Sequence, residues 1–261
     1  MKRPLQDNLK RVRERIEAAC ARTHRSASGV RLIAVTKYVS LDVIRSLVEL
    51  GVEDFGESRP QELIKRAAAT REWLGRRRRP DGRPPEPEPR WHLIGPLQRN
   101  KVNKVLPWVS LIHSVDTLRL AEEIDAQSAK LGAVTPILLE INATGETSRH
   151  GIAFAAAPHV VEVLSSLKRL RLLGMMAMGP NTTDTDAIRR VFDRVAELFQ
   201  EIRTKRGIGE NFRVLSMGMS GDFEIAIESG ATHVRVGSAL FEGLALPALA
   251  GRQADPAPWA S

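Results

Sequence analysis

The chain has 261 residues, of which 43% are hydrophobic, and its formal net charge is +8. No stretch approaches the roughly 20 apolar residues that a membrane span needs, and the charged N-terminus lacks the apolar segment of a signal peptide, so we expect a cytoplasmic protein. The single cysteine, Cys20, excludes an intramolecular disulfide and a cysteine-rich metal site.

Part of the basic excess is concentrated in one segment. Residues 75–90, GRRRRPDGRPPEPEPR, contain six arginines and three acidic residues. A Pro-rich segment with this density of charge is typical of a solvated, flexible insertion. A nucleic-acid binder that uses this basic surface is an alternative, but the segment has no aromatic residue on which a base could stack. We therefore expect no nucleic-acid partner.

Strand-like apolar runs alternate with amphipathic helical segments along the rest of the chain. The residues 145–158 between two of these segments are expected to form a loop. Helices are predicted over 5–24, 40–51, 58–74, 97–106, 117–132, 159–169, 186–207 and 220–230. Strands are predicted over 30–37, 52–57, 91–95, 109–115, 136–142, 170–178, 212–219 and, running into a helix, 232–241.

Eight predicted strands, each followed by a helical segment, fit a closed (β/α)₈ TIM barrel with one additional N-terminal helix. The strands read as continuous apolar runs, which is typical of parallel strands that are buried on both faces. A doubly wound open sheet is the alternative. Either way we expect residues 1–261 to form a single α/β domain.

A barrel of this kind builds its site at the carboxyl ends of the strands. Lys37 ends the first strand, and Ser58 follows the second. Because side chains alternate along a strand, Ile33, Val35 and Lys37 share a face, while Tyr38 is expected to point away. An amine at the top of the barrel can form a Schiff base with a carbonyl, although a lysine that merely reaches solvent is the plainer interpretation.

The last two strands end in stretches that suit an anion. LSMGMSGDFE and VRVGSALFEG follow the seventh and eighth strands, where barrels commonly bind phosphate. Two glycines there allow close backbone approach and three serines can donate hydroxyl hydrogen bonds: Gly218, Gly237, Ser216, Ser220 and Ser238. A Schiff-base lysine beside a phosphate site specifies a phosphorylated aldehyde, and the common cofactor of that description is pyridoxal 5′-phosphate.

Over essentially its whole length, the chain resembles the pyridoxal phosphate homeostasis proteins, also called the YggS or proline-synthetase co-transcribed family. Their fold is similar to the N-terminal barrel of alanine racemase. The resemblance is carried by IAVTK at 33–37, DFGES at 54–58, QEL at 61–63, WHLIGPLQRNK at 91–101, SVD at 114–116, INATGETSRHG at 141–151, GMMAM at 174–178, LSMGMSGDFE at 215–224 and VRVGSALF at 234–241.

The resemblance implies that Lys37 carries the cofactor as a Schiff base. It also implies that Ser216, Gly237 and Ser238 hold the phosphate and that Arg235 faces the pyridine nitrogen. An arginine in that position keeps the nitrogen unprotonated by charge repulsion and so weakens the ring as an electron sink. Gly218 completes the expected cofactor-binding set, together with Ser58 at the mouth.

Three residues depart from the family pattern. Ser58 stands where the family usually has asparagine, Pro96 where histidine is common, and Ser238 where threonine is usual. The first two put in doubt any polar contact made by those side chains, whereas Ser238 retains the hydroxyl. Without the resemblance, Arg235 could instead form a salt bridge to a buried acid such as Glu57.

The resemblance implies a non-catalytic protein that holds pyridoxal phosphate and takes part in its intracellular homeostasis. Enzymes that depend on this cofactor are its expected partners, and a monomer is the expected state. The alternative is a racemase-like enzyme that acts on a small amino acid. Racemases of this type use a second base, a tyrosine, and the only tyrosine of this chain is Tyr38.

Overall fold

The computed structural model describes residues 2–77, 86–146, 149–205, 208 and 210–244. The α-helices in these ranges are α1 (Lys2–Arg22), α2 (Leu41–Glu49), α3 (Pro60–Arg76), α4 (Val102–Val105), α5 (Leu118–Lys130), α6 (Ala157–Ser165), α7 (Thr185–Arg203) and α8 (Phe223–Glu228). The strands are β1 (Arg31–Val35), β2 (Asp54–Glu57), β3 (Arg90–Leu93), β4 (Leu111–Val115), β5 (Thr135–Asn142), β6 (Ile152–Ala153), β7 (Leu170–Ala177), β8 (Val214–Ser216) and β9 (His233–Val236).

The sheet closes on itself, and every strand pairing in it is parallel. Neighbouring strands follow the order β4, β3, β2, β1, β9, β8, β7, β5, and a further pairing between β4 and β5 joins the two ends. An open doubly wound sheet would leave two edge strands unpaired, and this ring of eight strands has none. The predicted TIM barrel with an additional N-terminal helix is therefore confirmed.

One strand outside the ring of eight, β6, was not predicted, because it lies in the segment 145–158 that the sequence indicates as a loop. It pairs with the end of β5, with Ile141 opposite Ile152. Gly151 makes this pairing possible, since it has a φ of +115° and a Cβ there would lie 2.5 Å from the backbone nitrogen of Asn142. A strand of two residues is too short to produce a periodic pattern.

Alternate residues of each strand face opposite sides of the barrel wall. The outward side chains pack against the surrounding helices and form the larger hydrophobic core. Phe192 and Phe199 of α7 belong to this core. A smaller apolar cluster, formed by Leu111, Leu138, Met176 and Val214, fills part of the interior. Both faces are buried, so the strands are largely apolar, as the sequence pattern indicated, apart from interior polar residues such as His113 and Arg235.

One close approach between strands requires glycine. Gly174 of β7 has a φ of +149°, and a Cβ there would lie 1.8 Å from the carbonyl oxygen of Val214 in β8. The pairing of β5 with β7 skips a residue at this point, since Ile137 lies opposite Leu172 and Leu138 opposite Gly174. Gly174 therefore lets β7 bulge without pushing β8 out of the barrel.

The N-terminal helix packs on the outside of the barrel, against the elements nearest the C-terminal end of the barrel. α1 contacts α8 and the 3₁₀ turn Ser238–Leu240. Asn8 donates hydrogen bonds of 3.1 and 2.9 Å to the carbonyl oxygens of Leu240 and Glu242. The helix thus ties the start of the chain to the segment that follows β9.

The Arg- and Pro-rich segment 75–90 begins and ends in regular structure. α3 runs to Arg76 and β3 begins at Arg90, while residues 78–85 lie outside the described residues. Within the described ranges, no helix has a long enough apolar stretch to cross a membrane.

Candidate functional site

Three strand ends that carry the predicted site residues meet at one mouth of the barrel. β1 pairs with β9, and β9 with β8, so the segments that follow these strands emerge side by side. Val35, the last residue of β1, lies close to Gly237, since a Cβ added to Gly237 would be 3.3 Å from the Val35 carbonyl oxygen. The turn that carries Lys37 therefore starts next to the turn that carries Gly237 and Ser238.

Lys37 lies in an exposed turn two residues after β1. Its amine is 4.9 Å from the centroid of the Tyr38 ring. The expectation that Tyr38 points away from Lys37 is therefore wrong. Strand alternation no longer applies beyond Val35, where the chain leaves β1 and enters the turn.

The base of the Lys37 turn is fixed by a buried ion pair. The Thr36 hydroxyl donates a 2.5 Å hydrogen bond to Glu57, and Arg66 lies 2.8 Å from the same carboxylate oxygen. Arg66 also donates to the Thr36 carbonyl. Burial raises the pKa of Glu57, and the positive charge of Arg66 opposes that rise. Glu57 thus pairs with Arg66 and not with Arg235, which removes the salt bridge considered for Arg235.

Backbone N–H groups converge on one hydroxyl at the neighbouring turn. Ser220 accepts hydrogen bonds from the backbone nitrogens of Gly237, at 3.0 Å, and Ala239, at 3.4 Å. Ser238 lies between them and is exposed. Amides and hydroxyls that point at a common position form an anion-binding arrangement. We call the group Ser220, Gly237, Ser238 and Ala239 the amide cradle.

Gly218 shapes the floor of the amide cradle. It has a φ of +88°, and a Cβ there would lie 2.6 Å from the Cβ of Ala226 and 2.7 Å from the Cα of Phe223 in α8. The Gly218 carbonyl accepts a 3.0 Å hydrogen bond from the backbone nitrogen of Arg235. Only glycine allows the chain after β8 to pass this close to α8 while it binds β9.

Arg235 is buried below the mouth, where four acceptors hold its guanidinium. Nη1 donates to the carbonyl and hydroxyl oxygens of Ser216, at 2.9 and 2.7 Å. Nη2 donates to the Ala177 carbonyl at 3.0 Å and contacts the Met178 sulfur at 3.3 Å. Ser216 itself is fully buried. The structure therefore places Ser216 against Arg235 in the barrel interior, whereas Ser220 lies at the amide cradle.

Two carboxylates influence Arg235 without contacting it. Burial lowers the pKa of Arg235 to about 10, and the negative charges of Asp222 and Glu140 oppose this change. The guanidinium thus stays charged at neutral pH. Burial and, to a smaller extent, the negative charge of Asp116 raise the pKa of Glu140 to about 7. Burial likewise raises the pKa of Asp222, which accepts a hydrogen bond from the Met219 nitrogen.

Ser58 lies on the other side of the mouth. It follows β2 and is half-buried, and a Cβ on Gly95 would lie 2.4 Å from its carbonyl oxygen. The register between β2 and β3 brings these two turns together, with Glu57 opposite Leu93. Ser58 is thus a wall residue of the mouth.

The turns that the sequence singled out lie at one mouth, but several side chains near them received less weight. Ser220 was recognised only as one of three possible anion-binding serines. Glu140 and Asp222 were not recognised, because neither falls in a spacing that indicates a charged site. The alternation along β5 places Glu140 on the same inward face as Leu138 and so could have indicated its position.

The donor set fits pyridoxal phosphate. An exposed lysine, a group of backbone amides with hydroxyls and a buried arginine lie on three adjacent strands. An added Cβ would have no space at Gly218, which packs against α8, and little at Gly237, which packs against Val35, so both turns depend on glycine to lie this close to their neighbours. In the described residues, no group of three or more histidine, cysteine, aspartate or glutamate side chains could hold a metal ion.

Known proteins are similar to this chain in sequence and fold. The family model described as alanine racemase, N-terminal domain, matches residues 7–244. A pyridoxal phosphate homeostasis protein of Aquifex aeolicus is 35% identical over 235 residues, which represent 90% of this chain and 96% of that protein.

Two solved structures superpose on nearly the whole chain. A protein of Bifidobacterium adolescentis matches with a TM-score of 0.84 at 37% identity, over 92% of this chain and 95% of that one. PipY of Synechococcus elongatus, solved with PLP bound, matches with a TM-score of 0.76 at 28% identity, over 91% of this chain and 99% of that one.

Proposed function

Because the chain belongs to the pyridoxal phosphate homeostasis protein family, we propose that it binds pyridoxal 5′-phosphate reversibly and takes part in the intracellular homeostasis of this cofactor. The observation that carries the proposal is the pairing of β1 with β9, which brings Val35 close to Gly237. This pairing puts the Lys37 turn beside the amide cradle, and the two together provide a nucleophilic amine and an anion site for one ligand.

The proposed roles follow from the geometry of the mouth. Lys37 forms the Schiff base, and Gly237 and Ser238 bind the phosphate together with Ser220 and the backbone around Gly218. The exposed Ser238 hydroxyl is free to turn toward a phosphate, as the threonine that is usual in the family would be.

The roles of the two buried residues differ. Arg235 faces the pyridine nitrogen, where its positive charge disfavours protonation of the ring. Ser216, to which the resemblance assigns the phosphate, instead binds the Arg235 guanidinium through its hydroxyl and carbonyl oxygens. Ser58 contributes to the wall of the mouth. Pyridoxal phosphate supplies the aldehyde that reacts with an amine and the electron-withdrawing ring.

A non-catalytic role suits the position of the only tyrosine. Racemisation by two bases needs an acid and a base on opposite faces of the cofactor. Tyr38 lies against the Lys37 amine, 4.9 Å from ring centroid to Nζ, so the two groups approach from the same side. This arrangement argues against a racemase-like enzyme. We propose that the protein delivers the cofactor to enzymes that depend on it.

The same proposal includes the cellular setting. It describes a single-domain monomer in the cytoplasm. Light scattering on the purified full chain tests the monomer, which has a mass of 28.9 kDa. A mass of twice that value at micromolar concentration would contradict it.

The test of cofactor binding is the visible absorption spectrum of the protein with pyridoxal phosphate, before and after borohydride reduction. Peptide mapping then locates the reduced adduct. We expect one adduct per chain on Lys37 in the wild-type protein and none in Lys37→Ala. Lys104→Ala is the matched control, because Lys104 is also exposed but lies on α4. An adduct that persists in Lys37→Ala, or a label spread over surface lysines, would overturn the proposal.

A further inference from the structure

Five polar side chains form a continuous hydrogen-bonded chain through the barrel interior. They come from five different strands and are almost fully buried. We call this set the buried polar chain: Asp54 of β2, His92 of β3, His113 of β4, Ser216 of β8 and Arg235 of β9. It begins at the first residue of β2 and ends at the guanidinium below the mouth.

Each contact in the buried polar chain has hydrogen-bond length. Asp54 Oδ1 lies 2.9 Å from His92 Nε2, and His92 Nδ1 lies 2.9 Å from His113 Nε2. His113 Nδ1 lies 3.0 Å from the Ser216 hydroxyl, which lies 2.7 Å from Arg235 Nη1. Every ring nitrogen of the two histidines therefore has one partner in this set.

The carboxylate end of the chain is ionised. Burial alone would raise the pKa of Asp54, but hydrogen bonds from Arg90 and His92 outweigh it and hold that pKa well below the usual range. Arg90 contacts both carboxylate oxygens at 2.8 Å, and Arg31 is 3.5 Å away. An ionised carboxylate only accepts hydrogen bonds, so the proton between Asp54 and His92 is on His92 Nε2.

Both histidines are neutral. Burial lowers the pKa of His92, although the hydrogen bond and charge of Asp54 oppose this change, and it lowers the pKa of His113 further. His233, on β9 beside the chain, has its pKa lowered by burial to about 3 and adds no charge. A neutral imidazole has one N–H and one acceptor nitrogen.

Neutrality fixes the direction of every remaining hydrogen bond. His92 donates through Nε2, so its Nδ1 accepts from His113 Nε2. His113 Nδ1 then accepts from the Ser216 hydroxyl, whose oxygen accepts from the Arg235 guanidinium. All donors point toward Asp54, with an anion at one end and a cation at the other. Hydrogen bonds aligned in this way polarise one another in a medium of low dielectric constant.

We propose that Asp54, His92, His113 and Ser216 are positioning residues that act together to fix the orientation and charge of Arg235 toward the ring of bound pyridoxal phosphate. The inference rests on the proposed function for its ligand. A serine alone could accept a hydrogen bond from Arg235, whereas two histidines in the interior carry a desolvation penalty that apolar side chains would avoid. The two histidines instead connect the Arg235 guanidinium to the distant Asp54 carboxylate.

The direction of the buried polar chain can be tested without the cofactor. Long-range ¹H–¹⁵N NMR spectra report the tautomer of each imidazole, and we expect His92 and His113 to be neutral and protonated at Nε2 in neutral solution. Asp54→Asn should move the ¹⁵N shifts of both rings, including His113, which Asp54 does not touch. A proton on Nδ1 of either ring, or an unchanged His113 in Asp54→Asn, would overturn the chain.

The positioning role is tested with a matched pair of serine variants. Ser216→Ala removes the hydroxyl that joins His113 to Arg235, whereas Ser114→Ala removes an equally buried hydroxyl, which donates to the Gly95 carbonyl outside the chain. We expect Ser216→Ala to weaken pyridoxal phosphate binding about tenfold and to shift the visible absorption maximum. The control Ser114→Ala should leave the maximum unchanged.

The outcomes separate this inference from the function on which it rests. Equal affinity and equal spectra in Ser216→Ala and Ser114→Ala would refute the positioning role, while the adduct at Lys37 would still support cofactor binding. Failure of the wild-type protein to bind pyridoxal phosphate would overturn the proposed function and the positioning role. The NMR spectra would still test the tautomers of His92 and His113, because they need no cofactor.

Discussion

Replacing Glu140 with glutamine should stabilise the protein in alkaline solution but not in acid. Glu140 lies on β5 opposite Met176 and faces the interior, where burial and the charge of Asp116 raise its pKa from 4.5 to about 7. A raised carboxyl pKa means that the folded state binds the proton more tightly than the unfolded state. The stability that this proton confers is complete below about pH 4.5 and is lost as the pH rises through about 7.

The magnitude follows from the width of that interval. The difference between 4.5 and about 7 is about 2.5 pH units, and each unit corresponds to about 1.4 kcal/mol, so the ionised carboxylate costs about 3 kcal/mol above pH 8. Glutamine at position 140 carries no charge at any pH and has nearly the same volume as glutamate.

Urea unfolding of the cofactor-free protein, followed by circular dichroism at pH 5 and pH 8, measures this effect. We expect Glu140→Gln to match the wild type within about 1 kcal/mol at pH 5 and to exceed it by about 3 kcal/mol at pH 8. Glu17→Gln, which removes an exposed carboxylate on α1, is the control and should change neither value. An identical pH dependence in wild type and Glu140→Gln would refute the reasoning, because other titrating groups cancel in the comparison.

Two further substitutions probe the frame of the site. Arg66→Met should destabilise the protein by about 3 to 5 kcal/mol in urea unfolding, because it leaves the buried Glu57 carboxylate without its partner. The double variant that adds Glu57→Gln should recover part of the loss, and equal stability of both variants would contradict this. Gly174→Ala should lower the urea midpoint strongly, since its Cβ would lie 1.8 Å from the Val214 carbonyl oxygen. Gly29→Ala, with no atom within 4 Å of the added Cβ, is its control.

The barrel could be predicted because its signal is local. Each of the eight strands is an apolar run of few residues, and each following helix has its own periodicity, as the buried Phe192, Leu198 and Ile202 of α7 show. Counting these units is enough to indicate a closed ring. β6 escaped prediction because two residues in a glycine-containing loop carry no period.

The sequence predicted which turns lie together at one mouth of the barrel. Lys37, Gly237 and Ser238 do follow adjacent strands, because parallel strands end at the same mouth. Which serine lies beside the backbone of Gly237 could not be predicted, since Ser216 and Ser220 both fit a strand-to-helix turn. The difference depends on where β8 stops. Ser216 is its last residue and points inward, while Ser220 lies beyond Gly218 beside the backbone of Gly237.

The sequence by itself determined the fold class, the family and the lysine that is proposed to bind the cofactor, because these depend on periodicity and on motifs within short segments. Only the tertiary structure decided the neighbours of Arg235. His92 and Asp54 are 38 positions apart in the chain, and His113 and Ser216 are 103 apart. No local pattern relates residues at such separations. Closing the barrel brings them into one interior, where the low dielectric constant makes each of their hydrogen bonds matter.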